Sequence, residues 1–154
     1  MKHEIVEYEE RYFVGYAVKV KPGTEPNPIP ELWNKFMSEG VLKLDEFDKE
    51  DNFIGLEMYP YDFMDTKEFY YHAMVQTKEK LNIDGFETIV LRKGKYILFS
   101  IEFDNIFNDI QACYKYIKEN HVNINHAFDY EGYISGENYS QKGAKLHFAF
   151  LLES

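Results

Sequence analysis

The side chains of this sequence with chemistry to offer are a few histidines, one cysteine and many phenols, and their spacing narrows what that chemistry is. His121 and His126 are separated by Val122-Asn123-Ile124-Asn125. No cysteine or HExxH spacing accompanies them, so they do not read as a structural metal site. Cys113 sits in an apolar helical pattern with no adjacent histidine or basic residue, which marks a buried structural thiol rather than a nucleophile. His147 can act as a general base, as a neutral hydrogen-bond donor, or as a satisfied strand histidine with no chemistry. Phosphate-binding glycine loops and a GxSxG nucleophile elbow are absent. What remains is aromatic. Tyr16, Tyr71 and Tyr130 each combine a ring wall with an orienting hydroxyl, and Trp33 and Phe36 offer larger apolar faces.

Those aromatics belong to an excess: 13 Tyr, 13 Phe and one Trp bring the aromatic share of the 154 residues to 18%. With 45% apolar and 29% charged residues, the chain has the length and composition of one folded domain, 1–154. No apolar run approaches the roughly 18 residues of a membrane span. Acidic residues outnumber basic ones 27 to 17, a formal charge of -10 that disfavours direct nucleic-acid binding. The single cysteine and the charged start MKHEIVEYEE imply a reduced, cytoplasmic setting.

The elements that must position these residues follow from periodicity. Ile5 to Tyr8 and Tyr12 to Val20 read as one bent strand or two short ones. Ile29, Leu32, Trp33, Phe36 and Met37 form the stripe of an amphipathic helix, with Pro30 in its first turn and Gly40 at its end. Phe53 to Tyr59 and Phe69 to Val75 are two further strands. The second half repeats the order: strands at Glu87 to Leu91 and Tyr96 to Glu102, then a helix capped by Asp104 or Asn105. The stripe of that helix is Ile106, Phe107, Ile110, Cys113, Tyr114 and Ile117. Strands at about Ala127 to Ile134 and Lys145 to Leu152 follow, with a turn at Gly136 to Gly143 between them.

This order predicts an α+β fold of two pseudo-symmetric β-α-β-β repeats, about 1–80 and 81–154. Their strands form an antiparallel sheet with both main helices on one face and a ligand cleft between the repeats. A shift of 84 residues lays Ile5 on Ile89 and Tyr12 on Tyr96. A shift of 74 lays Leu56-Glu57 on Tyr130-Glu131 and Tyr59 on Tyr133.

Taken in order, several segments resemble the GyrI-like, or SOUL-type, effector-binding domain of the BmrR C-terminal type, which also occurs in integron-associated and AraC-type proteins. They are Phe13-Val14-Gly15-Tyr16, Ile29-Pro30-Glu31-Leu32-Trp33-Asn34-Lys35-Phe36, Ile54-Gly55-Leu56 and Phe69-Tyr70-Tyr71-His72-Ala73. Gly85-Phe86-Glu87, Lys95-Tyr96-Ile97-Leu98-Phe99, Phe128-Asp129-Tyr130 and Leu146-His147-Phe148-Ala149-Phe150 complete the set. The resemblance implies a stand-alone protein that binds hydrophobic, aromatic or cationic drug-like molecules in an aromatic pocket between the repeats. No cofactor, metal, membrane or direct nucleic-acid contact is implied, and a homodimer or a protein partner is left open.

The family's last strand carries a pocket-facing Glu where this chain has His147, so the expected ligand-binding set is Tyr16, Trp33, Phe36, Tyr71, Tyr130 and His147. Glu57 and Glu131, superposed by the 74-residue shift, are the substitute carboxylates. Binding without chemistry is the first reading, in transcriptional regulation or a drug and toxin response. The second is hydrolysis of an electrophilic, cyclopropanoid-like compound, with Glu57 or Glu131 as acid or base. The third is an acidic inhibitor of a gyrase-type partner.

Overall fold

The computed structural model describes residues 1–134 and 143–153, so most of the expected turn at Gly136 to Gly143 lies outside the described residues. The first strand run divides in two, β1 (His3–Tyr8) and β2 (Arg11–Val20), with Glu9 and Glu10 between them. α1 (Pro28–Lys35) begins where the Asn27 side chain accepts from the Ile29 amide at 3.0 Å. Gly40 does not end this helix as its sequence suggested. The helical path runs on through a π-helical turn, Phe36–Gly40, into α2 (Val41–Lys43). Gly40 is small for a packing reason: a Cβ there would meet Phe36 Cδ1 at 2.7 Å and Tyr16 Cε2 at 3.0 Å.

β3 (Lys49–Met58), α3 (Phe63–Thr66), β4 (Phe69–Thr77), β5 (Glu87–Leu91) and β6 (Gly94–Glu102) follow. A 3-10 turn at Phe103–Asn105 then leads into α4 (Ile106–Glu119), and β7 (Phe128–Tyr133) and β8 (Lys145–Leu151) complete the order. Neither expected residue caps α4 through its side chain. Asp109 folds back instead and accepts from the Glu102 amide at 3.1 Å and the Asn105 side chain at 2.9 Å, while Asp104 accepts from the Gly143 amide at 3.2 Å. Phe107, placed on the buried stripe by its spacing, is 76% exposed.

All eight strands form one antiparallel sheet in the order β1-β6-β8-β7-β3-β4-β2-β5. The two halves of that order mirror each other about the β3–β7 junction, where Leu56 lies opposite Tyr130. The edge strands are exchanged: β1 pairs with β6 of the second half, and β5 pairs with β2 of the first.

Strand alternation sorts the sheet into two faces. One packs against α1 and α4, and its core includes Val14, Tyr71, Phe99, Phe148 and Phe150 together with Trp33, Phe36, Cys113 and Ile117 from the helices. The opposite face curls on itself as a half-barrel, so Phe13, Ile54, Leu56, Met74 and Tyr96 are fully buried although no helix covers them. Among the described residues no helix is long and apolar enough to cross a membrane.

Candidate functional site

The site lies where β3 and β7 meet beneath the N-terminal ends of α1 and α4. On β3 the residues facing the helices include Gly55 and Glu57, and on β7 Asp129 and Glu131. The register sets Glu57 directly opposite Asp129 and Gly55 directly opposite Glu131. Three carboxyls therefore share one face within two residues of each other along an antiparallel pair.

A cleft of about 600 Å³ opens above them. Glu57 and Glu131 form part of its floor, with Tyr59, Phe69, Tyr71, Tyr114 and Phe148 around them and Ile29, Phe103, Ile106, Phe107 and Ile110 on its helix side. Phe107, exposed as a core residue should not be, stands at the mouth of this cleft.

Two hydrogen-bonded arms reach the carboxyls. From α1, the Trp33 indole donates to Tyr71 Oη at 2.8 Å, and that hydroxyl donates to Glu131 Oε1 at 2.6 Å. From the other side, Tyr59 Oη donates to Asp129 Oδ2 at 2.9 Å, and Tyr114 Oη on α4 donates to the same oxygen. Gly55 makes the first arm sterically feasible: a Cβ there would lie 2.1 Å from Tyr71 Oη and 2.6 Å from Glu131 Oε1. Glu57 hydrogen-bonds with Asp129 and Glu131, and its buried Oε2 accepts from no donor among the described residues. Among the described residues no lysine, arginine or histidine forms an ion pair with any of the three acids.

The electrostatics follow from this composition. Burial, reinforced by the neighbouring acids, pushes the Glu57 carboxyl well above the usual range. Glu131 is pushed up by burial to about 7, opposed first by a hydrogen bond with Glu57 and then by the Tyr71 hydroxyl. Asp129 is also raised by burial, against a hydrogen bond with Glu57 and its two tyrosine donors. The Tyr59, Tyr71 and Tyr114 phenols are all raised, first by burial and then by the carboxylates beside them. At neutral pH the site is thus a set of partly protonated acids under aromatic walls, able to accept, give or hold a proton, or to face a positive charge. Among the described residues no cluster of metal-ligating side chains is present.

Of the residues expected from the sequence, Glu57, Glu131 and Tyr71 come together on the cleft. Tyr130 does not, because its neighbours Asp129 and Glu131 face the helices; it lies on the curled face, opposite Leu56. His147 is misplaced for the same reason: Leu146, Phe148 and Phe150 point to the helices, and His147 lies by a polar groove with Lys2, Ser100 and Lys145. Phe148 takes the cleft position that the alternation had given to His147. Trp33 and Phe36 are core, and Trp33 reaches the cleft through Tyr71. Tyr16 stacks on Phe86 at 4.9 Å, away from the cleft. Cys113 is buried, its thiol pushed up to about 12 by burial.

Three residues were missed. Asp129 shares the parity of Glu131, Tyr59 sits in the same 74-residue match, and Tyr114 lies on the α4 stripe, so each left a signal that pairing alone made readable.

No curated protein sequence matches the chain. Solved structures do. SAV2435, in a structure bound to tetraphenylphosphonium, is 17% identical with a TM-score of 0.78 over 99% of this chain and 94% of that one. The EcmrR C-terminal domain is 10% identical with a TM-score of 0.69, over 99% and 97%. A hydrolase encoded by lin2189 from Listeria innocua is 11% identical with a TM-score of 0.52, over 99% and 92%. At these identities the likeness is one of fold. The sequence pattern of the GyrI-like small molecule binding domain matches residues 1–141, and the chain belongs to that family.

Proposed function

We propose that this protein binds a hydrophobic, cationic small molecule in the cleft between α1 and α4. The observation that carries this reading is a cleft of about 600 Å³ with aromatic walls and a floor bearing Glu57 and Glu131, neither ion-paired among the described residues. A cation over an aromatic face gains about 0.5–2 kcal/mol, more as it is desolvated, and a carboxylate beneath it adds formal charge. The tetraphenylphosphonium bound by SAV2435 is a ligand of this chemical class. The role that fits is a sensor or sequestering protein for lipophilic cations in a drug response or in regulation. A formal charge of -10 disfavours direct contact with nucleic acid, so any regulatory role would run through a partner.

Titrating tetraphenylphosphonium while following thermal unfolding tests this. A ligand at a hundredfold its Kd stabilises by about 2.7 kcal/mol, an upward shift in Tm of roughly 5–10 °C for a chain this size. No shift across a panel of lipophilic cations would overturn the reading.

One observation favours a second reading. Glu131, held near 7 and bonded to a tyrosine hydroxyl, is suited to general acid or base work on an electrophilic ligand. Turnover of such a compound that is lost in Glu131→Gln supports hydrolysis through this carboxyl, turnover that survives both Glu131→Gln and Glu57→Gln dismisses the two residues as its acid or base, and no turnover of any electrophilic compound dismisses the reading.

A further inference from the structure

The three carboxyls differ in what holds their charge. Asp129 accepts from two tyrosine hydroxyls, Glu131 from one, and Glu57 Oε2 from none. The groups facing them from every packed element are acids, phenols or a thiol: Tyr71 on β4, Tyr133 on β7, Tyr59 after β3, Tyr114 and Cys113 on α4, and Asp104 at the rim. Residues directly opposite in an antiparallel pair have Cβ atoms about 4.5–5.5 Å apart, and diagonal neighbours about 7–8 Å. Three ionised carboxylates at such separations, shielded from water and without a counter-charge, are not sustainable, so the empty cleft must retain protons among them.

We infer that the cleft exchanges a proton for its ligand: a lipophilic monocation enters as the Glu131 carboxyl ionises, its proton passes to solvent, and Glu57 keeps its own. The inference rests on the binding reading above. The O–H bond of one carboxyl breaks, the electron pair stays on the carboxylate, and the incoming cation replaces the departing proton. The charge of the site is unchanged. A neutral ligand of the same shape needs no such exchange. Asp129 is a positioning residue here: it holds Tyr59 and Tyr114 in place, and its charge lies beside Glu131 and Glu57. Its removal lowers the affinity of the remaining pair for the proton.

The experiment is calorimetric titration of the full chain with tetraphenylphosphonium in paired buffers of different ionisation enthalpy, phosphate and Bis-Tris at the acidic end and borate and Tris at the alkaline end, with triphenylphosphine oxide as the neutral probe. Expected at about pH 6 is the release of close to one proton per cation, falling towards none at about pH 8.5, with none for the neutral probe at either pH. Asp129→Asn should still bind the cation but release roughly half as many protons or fewer at about pH 6. Cation binding with the same heat in both buffers at every pH overturns the exchange and leaves the binding reading intact. Absence of heat with both probes, together with no thermal shift, overturns the two together. Glu131→Gln guards against misfolding of the Asp129 variant: it should abolish the buffer dependence at about pH 6, and a persistent dependence there overturns Glu131 as the donor.

Discussion

On the curled face of the sheet one cation is surrounded by rings; on the helix face of the same sheet, several rings surround three acids. Arg11 is 7% exposed, with its guanidinium carbon 3.7 Å from the Tyr8 ring centre, 5.0 Å from Tyr96, 5.4 Å from Tyr130 and 5.7 Å from Phe13. Arg11 hydrogen-bonds with Tyr96 and Tyr130, but its Nε and Nη2 are buried with no partner among the described residues, so the rings carry much of its stabilisation. The helix face has the complementary composition: carboxyls in place of the guanidinium, and an open cleft in place of a closed cage. The contrast explains the aromatic excess as two uses of one chemistry. In the cage the chain supplies its own cation; under the function proposed above, the cleft takes its cation from outside.

That comparison can be broken from either side. The largest expected effect is on affinity: Glu131→Gln removes charge from the cleft while preserving an acceptor for Tyr71. It should weaken tetraphenylphosphonium binding by about 2–5 kcal/mol at pH 8, measured by calorimetry, with little change for a neutral ligand. Arg11→Ala empties the cage and should destabilise the fold by about 2–4 kcal/mol in urea unfolding. Arg11→Met, which refills the space without charge, should recover most of that loss and leave cation binding untouched; a weakened affinity in this variant would show that the faces are not independent.

Gly55→Ala forces a methyl against Tyr71 and Glu131 and should cost about 1–3 kcal/mol of stability, with a matching loss of affinity. Tyr71→Phe leaves the Trp33 indole without its acceptor and should cost roughly 1–2 kcal/mol.

A further check is the pH dependence of the ligand-free protein. Folding raises Glu131 from 4.5 to about 7, so the folded state holds a proton that the unfolded chain releases. Stability from this group is present below about 4.5 and is lost as pH rises through about 7, by at most about 1.4 kcal/mol per pH unit. Thermal unfolding between pH 5 and 8 should show Tm falling, and Glu131→Gln should flatten the slope. A Tm that rises across that window would contradict the assignment of a buried, proton-holding carboxyl.

The helices and most strands were legible because their apolar positions repeat at 3.6 or 2 residues. Parity on β7 and β8 was not. Phe128-Asp129-Tyr130-Glu131 is buried on both faces, as is Phe148-Ala149-Phe150, so polarity no longer tells inside from outside. Tyr130 and His147 were misplaced for that reason. Internal matching found Glu57 and Glu131 because the repeats superpose them. Asp129 escaped because its importance comes from sitting across from Glu57, and strand pairing over that sequence distance leaves no local mark. Gly40 and Phe107 failed for tertiary reasons: one accommodates neighbouring rings, and the other borders an opening rather than the core.

The exchange of edge strands sets how the molecule can come apart. Because β1 is hydrogen-bonded to β6 and β5 to β2, each half carries a strand of the other, and neither can unravel without stripping an edge from its counterpart. The repeat is therefore a unit of shape, and not a unit of folding. A chain cut near residue 80 should yield two fragments that are unfolded when separate and regain structure only when mixed.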